Sequence, residues 1–271
     1  METGLAGRTV IVTGGNANIG RGITLAFAGE GANVVIFARD EVAGRRVLDQ
    51  AVERGAADVL WCSTDVTDRG QVDASVAAVV DRFGAVDVLV NNVGGNVEFA
   101  YFADSDPDTW ERDIAVNIVS TLNCTHAVLP AMVERSSGRI VNIGSTAGLI
   151  GDPSLAVYSA MKGAVHAFTR VLAKEVGMHG VTVNAIAPYG TYPDDFEHDV
   201  SSGSRWHPDG VIMKFASTRS EEMSGIGRAT NVPRDHAFPG EIGAAAVYLA
   251  SDAAAFVTGQ VLTVDGGVLL A

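Results

Sequence analysis

The sequence predicts an α/β fold, a single doubly wound parallel sheet with helices on both faces. Three observations point there. Short β-rich runs alternate with longer helical runs along the chain. The β-rich runs are continuously apolar, without in/out alternation, as expected of strands covered on both faces. The chain has 271 residues, 47% hydrophobic and 19% charged, which suits one large core better than two small ones.

The elements follow in order. A strand over 9–12 leads through a glycine-rich turn into a helix over 21–30. Strands over 33–37, 59–62 and 86–90 alternate with helices over 42–54 and 71–83. Residues 114–133 carry no Asp, Glu, Lys or Arg, but a membrane span would have to bury Asn117, Asn123, His126 and Pro130. A core helix is expected there. Strands over 139–143, 181–185 and 260–264 complete a pattern of right-handed crossovers.

Only 192–238 breaks the rhythm. Its periodicity is weak, and it holds Pro193, Pro208 and Pro233. Eight acidic residues outnumber five basic ones, for a net charge of −3. A stretch this long inside a compact domain is a functional cover or a disordered insertion. Phe196, Trp206, Met213 and Phe215 favour a substrate lid over 192–238 of one domain, 1–271.

Charge and cysteines narrow the function classes. A net charge of −13 repels phosphate backbones and anionic headgroups, so neither nucleic acid nor a membrane is an expected partner. The two cysteines, Cys62 and Cys124, form neither a disulfide framework nor a zinc set. No metal is expected. The first residues lack the basic and apolar regions of a signal peptide, and the expected location is cytoplasmic.

After the first strand comes Thr13-Gly14-Gly15-Asn16-Ala17-Asn18-Ile19-Gly20. Glycines at a strand-to-helix turn let backbone approach a pyrophosphate, which then meets the free N–H groups and positive dipole end of the helix. Further on, Tyr158 and Lys162 stand at i, i+4 in a helical run and share one face. A phenol titrates near 10. A neighbouring ammonium lowers that value, which makes the two a plausible proton-transfer pair. Ser145 lies 13 residues before Tyr158, just past a strand's C-terminal end, where doubly wound sheets bind ligands.

With these residues in place, the chain resembles the short-chain dehydrogenase/reductase family, whose turn reads T-G-x-x-x-G-x-G. Thr13, Gly14 and Gly20 match. Asn18 stands at the middle glycine, and Asn is the residue after Gly most tolerant of left-handed angles. Further matches are Asp65-Val66, Asn91-Asn92-Val93-Gly94, Asn117, Ser145, Tyr158-x-x-x-Lys162, Asn184 to Pro188 and Val264-Asp265-Gly266-Gly267. The likeness covers the chain except 192–238.

The resemblance implies a Rossmann fold and an NAD(P)-dependent oxidoreductase that interconverts a secondary alcohol and a ketone. It assigns catalysis to Asn117, Ser145, Tyr158 and Lys162. Ser145 would hold the substrate oxygen, Tyr158 transfer its proton, Lys162 also bind the nicotinamide ribose, and Asn117 hold a relay water. It assigns the cofactor to Gly14, Asn16, Asn18, Ile19, Gly20, Arg39, Asp65, Val66, Asn92, Val93, Gly94, Tyr158, Lys162, Pro188, Tyr189 and Thr191. Asp65 would fix the adenine, with an N-cap as its plainer alternative. Tyr189 replaces the family's glycine after Pro188, and Thr191 comes early for the threonine that binds the carboxamide.

After the second strand an acid would bind the ribose 2′-hydroxyl of NAD, and an arginine the 2′-phosphate of NADP. Ala38 occupies the acid's place and Arg39 follows, so NADP(H) is expected over NAD(H), with Asp40 and Ala17 arguing the other way. Aromatics in the lid, with Met223, and Phe99, Tyr101 and Phe102 suggest a bulky apolar or cyclic small-molecule substrate. A 3-oxoacyl thioester (3-oxoacyl-thioester reductase or 3-hydroxyacyl-CoA dehydrogenase) is the alternative. A catalytically silent subunit of a hetero-oligomer is the alternative from another class, motivated by Asn18 and Tyr189. The family's habit and the apolar tail Val268-Leu269-Leu270-Ala271 point to a homotetramer, with a dimer as the alternative.

Overall fold

The computed structural model describes residues 2–218 and 229–269. Among these, seven strands form one sheet: β1 (Thr9–Thr13), β2 (Asn33–Ala38), β3 (Asp58–Ser63), β4 (Val88–Asn91), β5 (Gly138–Ile143), β6 (Val181–Pro188) and β7 (Val261–Val264). They lie in the order β3-β2-β1-β4-β5-β6-β7, and every pair is parallel. The helices in the first half are α1 (Asn18–Gly29), α2 (Glu41–Arg54), α3 (Arg69–Phe83), α4 (Trp110–Ile114) and α5 (Ser120–Glu134). Then come α6 (Ala147–Ile150), α7 (Ala156–Val176), α8 (Val211–Thr218) and α9 (Pro239–Ala250).

The unbroken apolar strands are explained by two cores. Alternate strand residues point to opposite faces. Val10, Val12, Val34 and Val90 pack with Ile23 and Phe27 of α1 and Ile242 of α9. Ile11, Val35, Phe37 and Leu89 pack on the other side with Val76 of α3, Met132 of α5 and Leu172 of α7. Both faces are covered, so no polar alternation survives in the sequence. Asp40 caps α2 by accepting from Ala43 N at 3.1 Å, and Asp68 caps α3 by accepting from Gln71 N at 3.1 Å.

Two boundaries matter for function. The first helix begins at Asn18 rather than at 21, which brings its free N–H groups up to the glycine-rich turn. Strand β6 continues past 185 to Pro188, because its last residues still pair with β7, Ala187 with Thr263 and Pro188 with Val264. It thereby delivers Tyr189 and Thr191 to the mouth of the sheet.

One helix, Pro107–Glu134, is long and apolar enough to cross a membrane by length and composition. Its inner face carries Asn117, Cys124, Val128 and Met132 into the protein, as expected of a core helix over 114–133. Its turn Ala115–Val119 is π-helical, and Asn117 sits within it. Such bulges commonly mark functional positions.

The strand order reverses between β1 and β4, where neighbouring connections diverge and leave a crevice. Thr13 staples this point. Its hydroxyl accepts from Asn92 N at 2.9 Å and Val93 N at 3.1 Å, and its carbonyl accepts from Asn92 Nδ2 at 2.9 Å.

Candidate active site

Above the reversal lies a cavity of about 790 Å³, lined by strand C-terminal ends and by part of the 192–238 stretch. Its floor at one end is the glycine-rich turn. Gly14 has φ +61°, and a Cβ on Gly20 would land on the Gly14 carbonyl oxygen. The turn is therefore closed too tightly for any side chain at position 20. Asn18 has φ 40°, the left-handed angle that Asn tolerates, so the substitution at the middle glycine leaves the turn intact. The α1 N-cap, Ala17, offers no side-chain hydrogen bond to the helix N–H groups. Close backbone, a helix start without a side-chain cap and a missing Cβ together fit a pyrophosphate.

At the other end α7 presents Tyr158 and Lys162, one turn apart and both buried. Lys162 Nζ donates to the Ile143 carbonyl at 2.8 Å and stands 5.7 Å from the Tyr158 ring centre. Ser145, at the end of β5, hydrogen-bonds Tyr158, and its Oγ also accepts from Ala147 N at 3.1 Å. Burial alone would raise the Tyr158 phenol. The charges of Lys162 and Arg205 and the Ser145 hydrogen bond outweigh it and hold the phenol below its ordinary value. Burial also lowers the Lys162 ammonium, and the nearby Arg205 charge adds to that.

Asn117 is fully buried one layer behind the cavity wall. Its Oδ1 accepts from Gly95 N at 3.1 Å, and its Nδ2 donates to the Gly95 carbonyl at 2.6 Å and to the Asp113 carbonyl at 2.8 Å. Every other residue expected at the site lines the cavity. Asn16, Ile19, Val66, Pro188 and Tyr189 are among them; Gly94 lies against Lys162, whereas Val93 lies against Gly14 and the Thr191 carbonyl accepts from Asn18 Nδ2 at 3.4 Å. Thr191 is held by its own loop, its hydroxyl donating to the Tyr189 carbonyl at 2.9 Å.

At the end of β2, Arg39 is exposed and pairs with Asp65 at 3.5 Å. Asp65 does not cap α3, a task that falls to Asp68. Its Oδ1 accepts from Thr67 N at 3.0 Å and Thr67 Oγ1 at 2.7 Å. Asp40 accepts from Ser202 N and Ser202 Oγ, both at 3.1 Å, besides capping α2.

The aromatic expectations divide. Phe99 lines the cavity, stacked on Phe215 with ring centres 4.8 Å apart, and Trp206 lines it as well. Tyr101 and Phe102 do not: both are exposed, and Phe102 stacks instead on Trp110 at 5.4 Å. Tyr101 is the N-cap of a 3-10 turn, Phe102–Asp104, which Phe102 opens. Met213 is also exposed, on the outer side of α8. Met223 lies outside the described residues.

Four residues have roles that spacing did not signal. Arg21, on α1, pairs with Asp199 at 2.9 Å and Asp194 at 3.2 Å. The Asp199 carbonyl accepts from Asn18 N at 2.9 Å, so this loop lies directly on the glycine-rich turn. His166, one turn beyond Lys162, is buried against Gly144. Burial and the charges of Lys162 and Arg170 push it down to about 4, so it stays neutral behind the lysine. The fourth is Arg205, whose guanidinium carbon lies 5.5 Å from the Tyr158 ring centre.

Comparison with known proteins agrees with this geometry. Residues 8–202 match the family described as short chain dehydrogenase, and 212–269 match one described as Enoyl-(Acyl carrier protein) reductase. The chain is 34% identical over 269 residues to the 3-oxoacyl-(acyl-carrier-protein) reductase FabG of Chlamydia muridarum, covering 98% of this chain and 99% of that one. It is 35% identical over 267 residues to 2-(S)-hydroxypropyl-CoM dehydrogenase 3 of Xanthobacter autotrophicus, covering 98% of each. A solved structure of levodione reductase superposes with a TM-score of 0.85 at 27% identity, covering 97% of this chain and 98% of that one. NAD+-bound xylitol dehydrogenase superposes with a TM-score of 0.81 at 28% identity, covering 97% and 99%. A doubly wound sheet, a strand reversal floored by a glycine-rich turn and full-length likeness to these oxidoreductases converge on one conclusion: the chain is an enzyme of the short-chain dehydrogenase/reductase family.

Proposed function

We propose that the enzyme interconverts a secondary alcohol and a ketone with NAD(P)(H), through Ser145, Tyr158 and Lys162. The observation that carries this is the buried Tyr158 phenol, held below its ordinary value by two cations and a serine hydroxyl. When bound, the nicotinamide supplies or accepts the hydride at the carbinol carbon. Ser145 hydrogen-bonds the substrate oxygen and orients it. Tyr158 gives that oxygen a proton during reduction and removes it during oxidation. Lys162 stabilises the phenolate form and is anchored by the Ile143 carbonyl. Asn117 holds Gly95 and the α4–α5 turn in place behind Lys162, where the family's relay water would bind. A screen of cyclic and aromatic ketones and alcohols, followed at the nicotinamide absorbance band with both cofactors, tests the reading. Cofactor binding without turnover of any of them would overturn it.

Gly14, Asn18 and Gly20 would cradle the pyrophosphate, Asp65 and Val66 the adenine, and Asn92, Val93, Gly94, Pro188, Tyr189 and Thr191 the nicotinamide side. Within this reading the cofactor is NADP(H). Arg39 is exposed at the cavity edge and Ala38 offers no carboxylate, while Asp40 is occupied by α2 and Ser202. Arg39→Ala is expected to weaken NADPH binding by about 1–3 kcal/mol, as for a lost charge-assisted bond, and to leave NADH nearly unchanged. Equal losses for both, measured by nicotinamide fluorescence, would refute the preference.

The 192–238 stretch serves as the lid of a single domain. Phe99, Phe215 and Trp206 favour a substrate with a bulky apolar or cyclic body. A 3-oxoacyl thioester is the second reading, supported by the likeness to 3-oxoacyl-(acyl-carrier-protein) reductases. Free Cys62 and Cys124 suit a reducing cytoplasm. Exposed Ile114 and Leu122 on the Pro107–Glu134 helix, and Phe256 and Leu262 near edge strand β7, support a homotetramer. Light scattering at micromolar concentration is expected to give four chains, and a monomer would overturn this. Of the tail, Leu270 and Ala271 lie outside the described residues.

A further inference from the structure

Arg205 sits in the loop before α8, between Ser204 and Trp206. An arginine stays charged at any physiological pH and offers a planar fork of donors. Here that fork faces into the cavity, over the Tyr158 ring. One arm, Nη2, donates to the neutral amide oxygen of Asn96, and the guanidinium also hydrogen-bonds the Tyr158 hydroxyl. Its Nε is buried without a hydrogen-bond partner. Among the described residues no carboxylate lies within 4.0 Å of it. Asp113 feels its charge, but that carboxylate accepts from the Val97 N–H at 2.9 Å. A second arginine, Arg112, and Lys162 line the same cavity, with Asp152 on the wall as well.

A charge placed beside reacting groups and left with neutral partners is poorly satisfied on its own. Tuning Tyr158 accounts for only part of its placement, since Lys162 already supplies a positive charge there, and Arg205 makes Lys162 harder to protonate. Five N–H donors exceed these two neutral partners, and a carboxylate is the anion whose charge and oxygens would engage the remainder.

We infer that Arg205 is the anion-recognising residue of the substrate pocket, and that the substrate is a 2- or 3-oxo acid, or the matching hydroxy acid. Its carboxylate meets Arg205 while its apolar body packs on Phe99 and Phe215. The short distance follows from the position of the fork, over the same ring whose hydroxyl handles the reacting oxygen. The inference rests on the alcohol–ketone reading above and names the class of substrate.

The test uses the full chain with each cofactor at saturation. In the first arm, kcat/KM is compared for 2-oxo-4-phenylbutanoate and its ethyl ester. The wild type is expected to prefer the acid by about tenfold or more, as for one charge-assisted contact. Arg205→Gln is expected to bring the ratio near unity, and Arg205→Lys to keep part of it. Absolute rates fall for both substrates, because Tyr158 loses a neighbouring charge, so the ratio is the readout. In the second arm, Trp206 fluorescence follows binding of unreactive 4-phenylbutanoate against 4-phenylbutanamide. The same Arg205-dependent preference is expected. No preference in the wild type, or a preference that survives Arg205→Gln in a variant of unchanged circular dichroism, overturns the inference. Turnover of neither ketone, with the binding preference intact, leaves the anion site standing and counts against the alcohol–ketone reading instead.

Discussion

Replacing Tyr158 with Phe is expected to lower turnover by on the order of 10³-fold, the usual contribution of a positioned proton donor. The ring is retained, so packing on the cavity wall and the cation contacts of Lys162 and Arg205 persist. Cofactor affinity, read by fluorescence titration, should stay within a few-fold of wild type. The pH profile sharpens the test. In the oxidation direction the phenolate is the active form, so the rate rises with pH through the Tyr158 pKa, which lies below 10.0. That rise should vanish with the hydroxyl. Turnover within tenfold of wild type, or an unchanged profile, would remove Tyr158 from the chemistry.

Gly20→Ala should act on the other half of the cavity. The added Cβ would land on the Gly14 carbonyl oxygen, with Asn92 Nδ2 2.6 Å and the Gly14 carbonyl carbon 2.8 Å away. Two of these neighbours are backbone, held by the Thr13–Asn92 staple, so the strain cannot be relieved by rotating a side chain. Overpacking of this kind costs about 1–3 kcal/mol, worth roughly 2–4 °C of Tm per kcal/mol in a domain of this size. The displaced turn would also lose its approach to the pyrophosphate. Losing two charge-assisted bonds weakens nucleotide binding by about 100-fold or more. Calorimetry and a nicotinamide titration measure the two effects. A variant with wild-type Tm and affinity would show that the turn is not the cradle.

Much of the molecule was legible because its signals are local. Strand periodicity depends on neighbours along one strand, and all seven strands lie close to where apolar runs placed them. The glycine-rich turn is a constraint among eight consecutive residues. Tyr158 and Lys162 share a face because an α-helix repeats every 3.6 residues. The tolerance of Asn18 for φ 40° follows from its own short side chain.

What tertiary structure alone decided lies in contacts between distant, aperiodic segments. Arg205 reaches Tyr158 from a loop whose path no periodicity describes, and its lack of a carboxylate partner among the described residues is a property of the folded cavity. Phe99 faces the cavity and Phe102 leaves it, although they are near neighbours in one aromatic run, because Phe99 stacks on Phe215 while Phe102, opening a 3-10 turn, stacks on Trp110. Asp199 lies on the glycine-rich turn only because Arg21 and Asn18 N fix it there. The sequence by itself determined the sheet, the glycine-rich turn and the shared face of Tyr158 and Lys162, where each residue's environment is set within a few positions. The end of the cavity around Arg205 was left to folding, because its shape and charge come from side chains whose environment is set by a loop packing onto the finished sheet.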